Sequence, residues 1–179
     1  MAEVMARVEE LLGAGTSRCE HQRLVEITGG EPLLQPETPE LARKLLEAGC
    51  KVLIETSGER EVSKLPREVV KIVDVKCPDS GEGGTFQLSN LDALDQKDEV
   101  KFVIASRRDY EFARDFVLEY NLTSRVHDVL FSPVFADPEG KWPAMDARQL
   151  AEWILADRLP VRLGLQIHKF IWDPAMHGV

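Results

Sequence analysis

The sequence predicts an α/β protein: a partial (β/α) barrel of parallel strands, in one domain over residues 1–179. Three observations carry that expectation. β-rich runs alternate with helical patterns along the whole chain. The strand runs end near residues 28, 56, 76, 104, 133 and 166, a beat of roughly 30 residues that suits a strand plus a crossover helix. No low-complexity segment or long linker divides the chain. Right-handed crossovers wind such units into an open or partial barrel; a doubly wound sheet keeps the same beat and stays open as the alternative.

The elements follow in order. Val4, Val8, Leu11 and Leu12 share one face of an opening helix that stops near Gly13 and Gly15. A βα repeat should open on a strand, so this helix is out of step. Leu24–Ile27 is a short β-rich run ending in Thr28-Gly29-Gly30-Glu31-Pro32. Thr38 and Pro39 read as N-cap and first residue of a helix that uses Leu41, Leu45 and Leu46 and stops at Gly49. Residues 51–55 form the next strand and run into Thr56-Ser57-Gly58. Residues 69–76 alternate as a strand, and 77–84 are a loop rich in Pro, Ser and Gly.

Glu99–Ile104 is a further strand. Ser106 with Asp109 three residues on resembles a capping box, opening a helix through Ala113, Phe116 and Val117. Residues 129–131 are a strand stopped at Ser132-Pro133. Asp146 and Gln149 repeat the box before Leu150, Trp153 and Ile154, and residues 161–166 are the last strand. The Asp-rich stretch 92–99 reads as a solvated face, and Phe102, Phe116 and Trp153 as core.

Composition narrows the partners. Lys and Arg number 22 against 31 Asp and Glu, a formal charge of −9 at pH 7. That balance argues against wide contact with nucleic acid or an anionic membrane, since both need clustered cations. Hydrophobic residues make up 44%, too many for a disordered chain. Three dispersed cysteines, Cys19, Cys50 and Cys77, form neither a disulfide framework nor a metal motif and read as thiols of a reducing compartment. No apolar run resembles a signal peptide or reaches spanning length. The expected location is the cytoplasm.

In parallel α/β architectures ligands bind at the carboxyl ends of the strands, and this chain concentrates polar and glycine residues there. Gly29 and Gly30 permit positive φ and bring backbone close to a ligand, though a tight turn also explains them. Neither Gly-x-Gly-x-x-Gly nor Gly-Lys-Ser/Thr occurs, so this is no phosphate loop. Asp74 and Lys76 share one face at a spacing of two; Lys76 is either a carboxylate holder with three donors or half of an internal ion pair. Gln166 and His168 share a face if the last strand persists that far. Residues 80–84 form a glycine loop suited to a lid.

Together these segments resemble the radical S-adenosylmethionine enzymes. Val25-Glu26-Ile27-Thr28-Gly29-Gly30-Glu31-Pro32-Leu33-Leu34-Gln35 looks like their strand-end motif. Ile54-Glu55-Thr56-Ser57-Gly58, Asp74-Val75-Lys76-Cys77-Pro78, Val100-Lys101-Phe102-Val103-Ile104 and Leu165-Gln166-Ile167-His168-Lys169 then follow in the order of one subfamily, 7-carboxy-7-deazaguanine synthase of 7-deazapurine (queuosine) biosynthesis. The likeness spans essentially the whole chain.

The resemblance implies a reduced partial barrel of the radical S-adenosylmethionine type and a homodimer. S-adenosylmethionine is cleaved reductively at a 4Fe–4S cluster, with an electron from a flavodoxin- or ferredoxin-like protein. The 5′-deoxyadenosyl radical takes hydrogen from 6-carboxy-5,6,7,8-tetrahydropterin, and ring contraction with loss of ammonia, assisted by magnesium, gives 7-carboxy-7-deazaguanine. By the same resemblance Thr28 contacts substrate and His168 faces the pterin. Gly29 and Gly30 meet the methionyl ammonium. Asp74, Val75 and Lys76 form a second cofactor-binding stretch, with Lys76 near the methionyl carboxylate. Ser132 and Pro133 belong to a third, and Ser57 is a further cofactor candidate.

One departure stands out. The family's C-x₃-C-x₂-C cluster loop does not occur in these residues, and the chain opens at the helix that would follow it. The first strand, the cluster cysteines, the magnesium-binding threonine and an N-terminal substrate segment are therefore expected to be missing, either through a start placed at an internal Met of a longer frame, the favoured reading, or because the chain is a true fragment. Cys19, Cys50 and Cys77 are not expected to replace the cluster ligands, so the chain as written is expected to lack radical chemistry. Two rival readings share these motifs: a small activase of glycyl-radical enzymes, and a cluster-free remnant that binds ligand or dimerises without catalysis.

Overall fold

A computed structural model describes residues 1–12, 23–135 and 144–172. Six strands, β1 (Leu24–Ile27), β2 (Lys51–Thr56), β3 (Val70–Asp74), β4 (Glu99–Ile104), β5 (Asp128–Pro133) and β6 (Arg162–Leu163), form one sheet. Their spatial order is their chain order, and every pairing is parallel. That order decides between the two architectures. A doubly wound sheet reverses its strand order midway so that helices cover both faces. Six strands in unbroken sequence, with crossovers of one hand, put the helices on one face and leave the other for a barrel interior. The fold is therefore the expected partial barrel.

The helices are α1 (Ala2–Leu12), α2 (Thr38–Glu47), α3 (Arg107–Glu119), α4 (Leu122–Arg125), α5 (Ala147–Asp157) and α6 (His168–Ile171). Alternation along each strand separates the faces. Val52, Ile54, Val73, Val100, Phe102, Ile104 and Phe131 are buried and face the helices, where Ala42, Leu45, Ala113, Val117 and Leu150 close the core. Phe102 meets Phe116 and Phe131 edge to face, with ring centroids 5.7 and 5.5 Å apart. The other face carries charge. The register sets Glu26 beside Leu53, Glu55 beside Ile72, and Asp74 beside Lys101.

Several local expectations need correction. The α2 N-cap is Glu37, without a side-chain cap bond; the Thr38 hydroxyl instead donates to the buried Pro32 carbonyl at 2.7 Å, because the preceding turn brings that acceptor within reach. Lys76 lies outside β3, which ends at Asp74. Ser132 and Pro133 do not stop β5 but belong to it, paired with Val103 and Ile104. β6 is only two residues long, so Gln166 and His168 share no strand face; His168 instead opens α6. A strand needs a partner ladder, and the β6 pairs end at Phe131–Leu163, just before Pro133, which has no N–H to offer.

The 92–99 stretch is not uniformly solvated. Asp98 is fully buried and Lys71 nearly so. The Lys71 ammonium lies 3.1 Å from Asp98 Oδ2, and the Lys71 and Asp95 backbone N–H groups donate to the same carboxylate at 2.8 and 2.9 Å. A buried charge survives only when paired and hydrogen-bonded, and this one closes the amino-terminal end of β3 and β4.

Candidate functional site

The loops at the carboxyl ends of β1, β2 and β3 enclose a cavity of about 550 Å³ lined by Thr28, Gly29, Gly30, Glu31, Glu55, Ser57, Asp74, Lys76 and Glu82, among others. Each lining segment sits there because parallel strands deliver their ends to one rim. Gly29 and Gly30 take φ values of 95° and 55°, and a Cβ built on either meets nothing within 4 Å. Packing therefore does not demand glycine here; the turn does, and it leaves bare backbone toward the cavity.

Glu31 fixes that turn. Its Oε1 accepts from the Thr56 hydroxyl at 2.7 Å and the Leu33 N–H at 2.9 Å. Its Oε2 accepts from the Ser57 N–H at 2.7 Å and the Ser57 hydroxyl at 2.8 Å. One carboxylate thus ties the first rim loop to the end of β2. Burial alone would raise its pKa, but these hydrogen bonds outweigh burial and hold the group below the ordinary glutamate value.

Asp74 and Lys76 form the facing wall. The Lys76 ammonium donates to Asp74 Oδ2 at 2.8 Å, the internal ion pair that was one of the two readings. Burial would lower the Lys76 pKa, yet Asp74 overrides it and the net shift is upward. Asp74 is 8% exposed, and among the described residues its Oδ1 is buried without a hydrogen-bond partner. Since buried polar atoms are nearly always satisfied, this one calls for a donor from outside the chain.

The loop beyond is held by Asp109, which is fully buried and accepts from the Asp79 N–H at 2.9 Å and the Ala105 N–H at 3.0 Å. Asn90, also buried, accepts from the Val62 N–H and donates to the Gly58 and Arg60 carbonyls. On the floor, the Lys101 ammonium donates to Glu55 Oε1 at 2.7 Å, and the Thr28 hydroxyl lies 3.4 Å from Oε2.

Of the residues singled out from sequence, Thr28, Gly29, Gly30, Ser57, Asp74 and Lys76 come together in this cavity. Val75 does not: it is buried, and its N–H donates to the Lys101 carbonyl at 2.9 Å, so it holds the strand rather than the lining. Ser132 and Pro133, on β5, are outside the lining, and His168 stands at the start of α6. Sequence reading missed Glu31, Glu55, Lys101, Asn90 and Asp109. Glu31 and Glu55 stood in quoted motifs, and the Asp109 backbone does meet the expected cap, its N–H donating to Ser106 at 3.1 Å.

The residues present fit one of the implied groups and not the others. Bare backbone at Gly29-Gly30, the unmatched Asp74 oxygen and the Lys76 ammonium suit a zwitterionic amino acid attached to a nucleoside. The described cysteines do not suit an iron–sulfur cluster. Cys50 is buried at the amino-terminal end of β2, away from the rim, and Cys77 is buried so that its pKa is pushed up, against the thiolate a cluster needs. Cys19 lies outside the described residues. No group of three His, Cys, Asp or Glu among the described residues is placed to hold a metal ion.

No family model matches the chain. The chain is 53% identical over 183 aligned residues to 7-carboxy-7-deazaguanine synthase of Koribacter versatilis, covering 99% of this chain and 77% of that protein. It is 39% identical to the synthase of the same name from Chlorobaculum tepidum, covering 87% of this chain and 68% of the relative. Among solved structures, QueE from Escherichia coli superposes with a TM-score of 0.64 at 24% identity, covering 92% of this chain and 63% of that one. Streptococcus suis SuiB bound to S-adenosylmethionine gives 0.57 at 14% identity, covering 88% and 43%. The two structural likenesses speak to fold.

Proposed function

The chain belongs to the 7-carboxy-7-deazaguanine synthase family, and from that premise we propose that its rim cavity holds S-adenosylmethionine beside 6-carboxy-5,6,7,8-tetrahydropterin, for ring contraction to 7-carboxy-7-deazaguanine with release of ammonia. The observation that carries the reading is one cavity that gathers Thr28, Gly29, Gly30, Ser57, Asp74 and Lys76 from three separate strand ends, with an unmatched buried acceptor in its wall.

When bound, S-adenosylmethionine supplies the 5′-carbon that takes hydrogen from the substrate. The chain's own residues bind and orient. Gly29 and Gly30 offer backbone carbonyls and room to the methionyl ammonium, and Asp74 Oδ1 adds a charged acceptor. Lys76 faces the methionyl carboxylate as a point charge. Ser57, fixed by Glu31, offers its hydroxyl at the same rim, and Thr28 does so toward the substrate. Val75 supports this wall from behind through the strand. By the family resemblance, Ser132 and Pro133 would add cofactor contacts and His168 a substrate contact. Glu31 and Asp109 keep the loops in register, so that binding orders little that is not already ordered.

The same reading makes the protein a cytoplasmic homodimer served by a flavodoxin- or ferredoxin-like reductant. No described helix is long and apolar enough to cross a membrane. The exposed Leu165, Ile167, Phe170 and Ile171 give a partner subunit apolar area to cover. No step through a cluster or magnesium is assigned to the residues described. The 179-residue polypeptide by itself should therefore yield no 5′-deoxyadenosine after anaerobic reconstitution with iron, sulfide and reductant; its formation above a blank overturns that part. The binding claim is tested by calorimetry with S-adenosylhomocysteine. One site per chain is expected, weakened by Asp74→Asn, and absence of heat refutes the placement.

A further inference from the structure

We propose that Lys101 is a positioning residue for the substrate: its ammonium, reaching across β3, fixes Glu55 on the cavity floor as an acceptor for ring N–H groups. This rests on the reading that the cavity takes a reduced pterin, and goes beyond it by assigning two residues and a recognised edge.

The geometry is unusual for a sheet. Glu55 on β2 and Lys101 on β4 are not neighbours; β3 lies between them, with Ile72 beside Glu55 and Asp74 beside Lys101. Lys101 nevertheless passes over its adjacent carboxylate, Asp74, which takes its proton donor from Lys76, and ends 2.7 Å from Glu55 Oε1. As a stability device the pair is poor. The side chains are only 21% and 32% exposed, so the cost of taking both charges out of water offsets much of their attraction. Apolar side chains would cover Ile72 at least as well.

As a site device it has a clear result. The ammonium occupies Oε1, while Oε2 receives only the long 3.4 Å contact from the Thr28 hydroxyl and keeps lone-pair capacity for a ligand, and Glu55 lines the cavity. Lys101 works there amid like charges. Glu26 lies near enough to Glu55, Glu99 and Lys101 that all three act on its charge, and burial together with Glu55 pushes its pKa upward. Asp74 adds its carboxylate to the wall of the same cavity. Acceptors outnumber donors on this floor, which suits a ligand edge dense in N–H donors, as in a 2-aminopyrimidinone fused to a reduced ring. Without the ammonium, Glu26 repels Glu55 and the acceptor is no longer held in place.

The test uses the full 179-residue chain and two probes: 6-carboxypterin, followed by its own fluorescence, and S-adenosylhomocysteine, by calorimetry. Lys101→Met should weaken 6-carboxypterin roughly tenfold, the size of one mis-set charge-assisted hydrogen bond, and leave S-adenosylhomocysteine within about twofold. In a Glu55→Gln background the same change should add nothing, because Lys101 acts through Glu55. Lys101→Gln replaces the Met variant if thermal melting shows that the latter fails to fold. Unchanged pterin affinity, equal loss for both probes, or full additivity with Glu55→Gln would each overturn the role of Lys101. If the unaltered chain binds S-adenosylhomocysteine but not 6-carboxypterin, the pterin reading falls, and this proposal with it.

Discussion

Replacing Glu31 by Gln changes one atom and keeps the volume, yet it should be costly. Each carboxylate oxygen accepts one backbone N–H, Leu33 at Oε1 and Ser57 at Oε2. A glutamine has one carbonyl oxygen, so in either orientation its NH₂ faces an N–H head on. Flipping the amide moves the conflict without removing it. Of four hydrogen bonds, the two from hydroxyls can be remade by rotating Thr56 and Ser57, but one N–H is always stranded. A half-buried unsatisfied N–H costs about 1–3 kcal/mol, which for a domain of this size lowers Tm by roughly 2–4 °C per kcal/mol. Calorimetric melting of Glu31→Gln should therefore show a fall of about 2–12 °C, and S-adenosylhomocysteine should bind at least about tenfold more weakly, because Gly29-Gly30 and Ser57 lose their common anchor. A wild-type Tm would show that Glu31 does not bear these contacts in solution. A lowered Tm with unchanged ligand affinity would show that the clamp is structural and the cavity not a cofactor site.

Three further outcomes follow from the same contacts. Glu31 has a folded pKa below its ordinary value of 4.5, so its stabilisation is complete above that value and lost as pH falls through the lower folded one; urea unfolding from about pH 6 to pH 3 should lose less stability in Glu31→Gln than in wild type, and parallel curves would contradict this. Gly30→Ala and Gly58→Ala should separate fold from site: both positions have positive φ, but a Cβ at Gly58 meets Phe86 Cδ2 at 2.6 Å whereas one at Gly30 meets nothing. Melting should thus show the larger loss for Gly58→Ala, while titration with S-adenosylhomocysteine should show the larger loss for Gly30→Ala. Lys71→Met strands the buried Asp98 charge and should cost about 3–5 kcal/mol, read as a shift of the urea midpoint, with no shift indicating that Lys97, 3.6 Å from the same carboxylate, takes over.

What the sequence disclosed was what local chemistry marks. Strand ends were legible because Gly, Pro and Ser punctuate them, and the β/α beat placed them within a few residues of β1 to β5. Most of its failures share one cause, a partner that lies outside the local pattern. Thr38 looks like an N-cap until Pro32 O is brought beside it. Asp98 sits in a charge run and looks solvated, but its partner Lys71 is 27 residues away. The partners of Glu31 lie up to 26 residues on, and Lys101 is 46 residues from Glu55. Periodicity carries no information about such pairs. The 161–166 run shows the converse: its alternation is sound, but a strand also needs an open ladder beside it, and Pro133 ends that ladder.

The rim itself explains why a ligand belongs at this place rather than at another concavity. Glu31 joins the first rim loop to the end of β2, Asn90 ties the 58–62 turn to the segment before β4, and Asp109 joins the loop after β3 to the residue after β4. Each is a side chain with at least one hydrogen bond to the backbone of another unit, so the walls are set before anything binds. Against that background of satisfied groups, the exceptions are local and adjacent: bare positive-φ backbone at Gly29 and Gly30, and the orphan oxygen of Asp74. Leaving a buried carboxylate oxygen unmatched is expensive, and a neutral side chain at position 74 would remove that cost. If Asp74 instead served only as an anchor for Lys76, Asp74→Asn should destabilise the free chain by leaving that ammonium without its partner and be silent in S-adenosylhomocysteine binding. A more stable variant that no longer binds would show that the fold keeps Asp74 for its ligand.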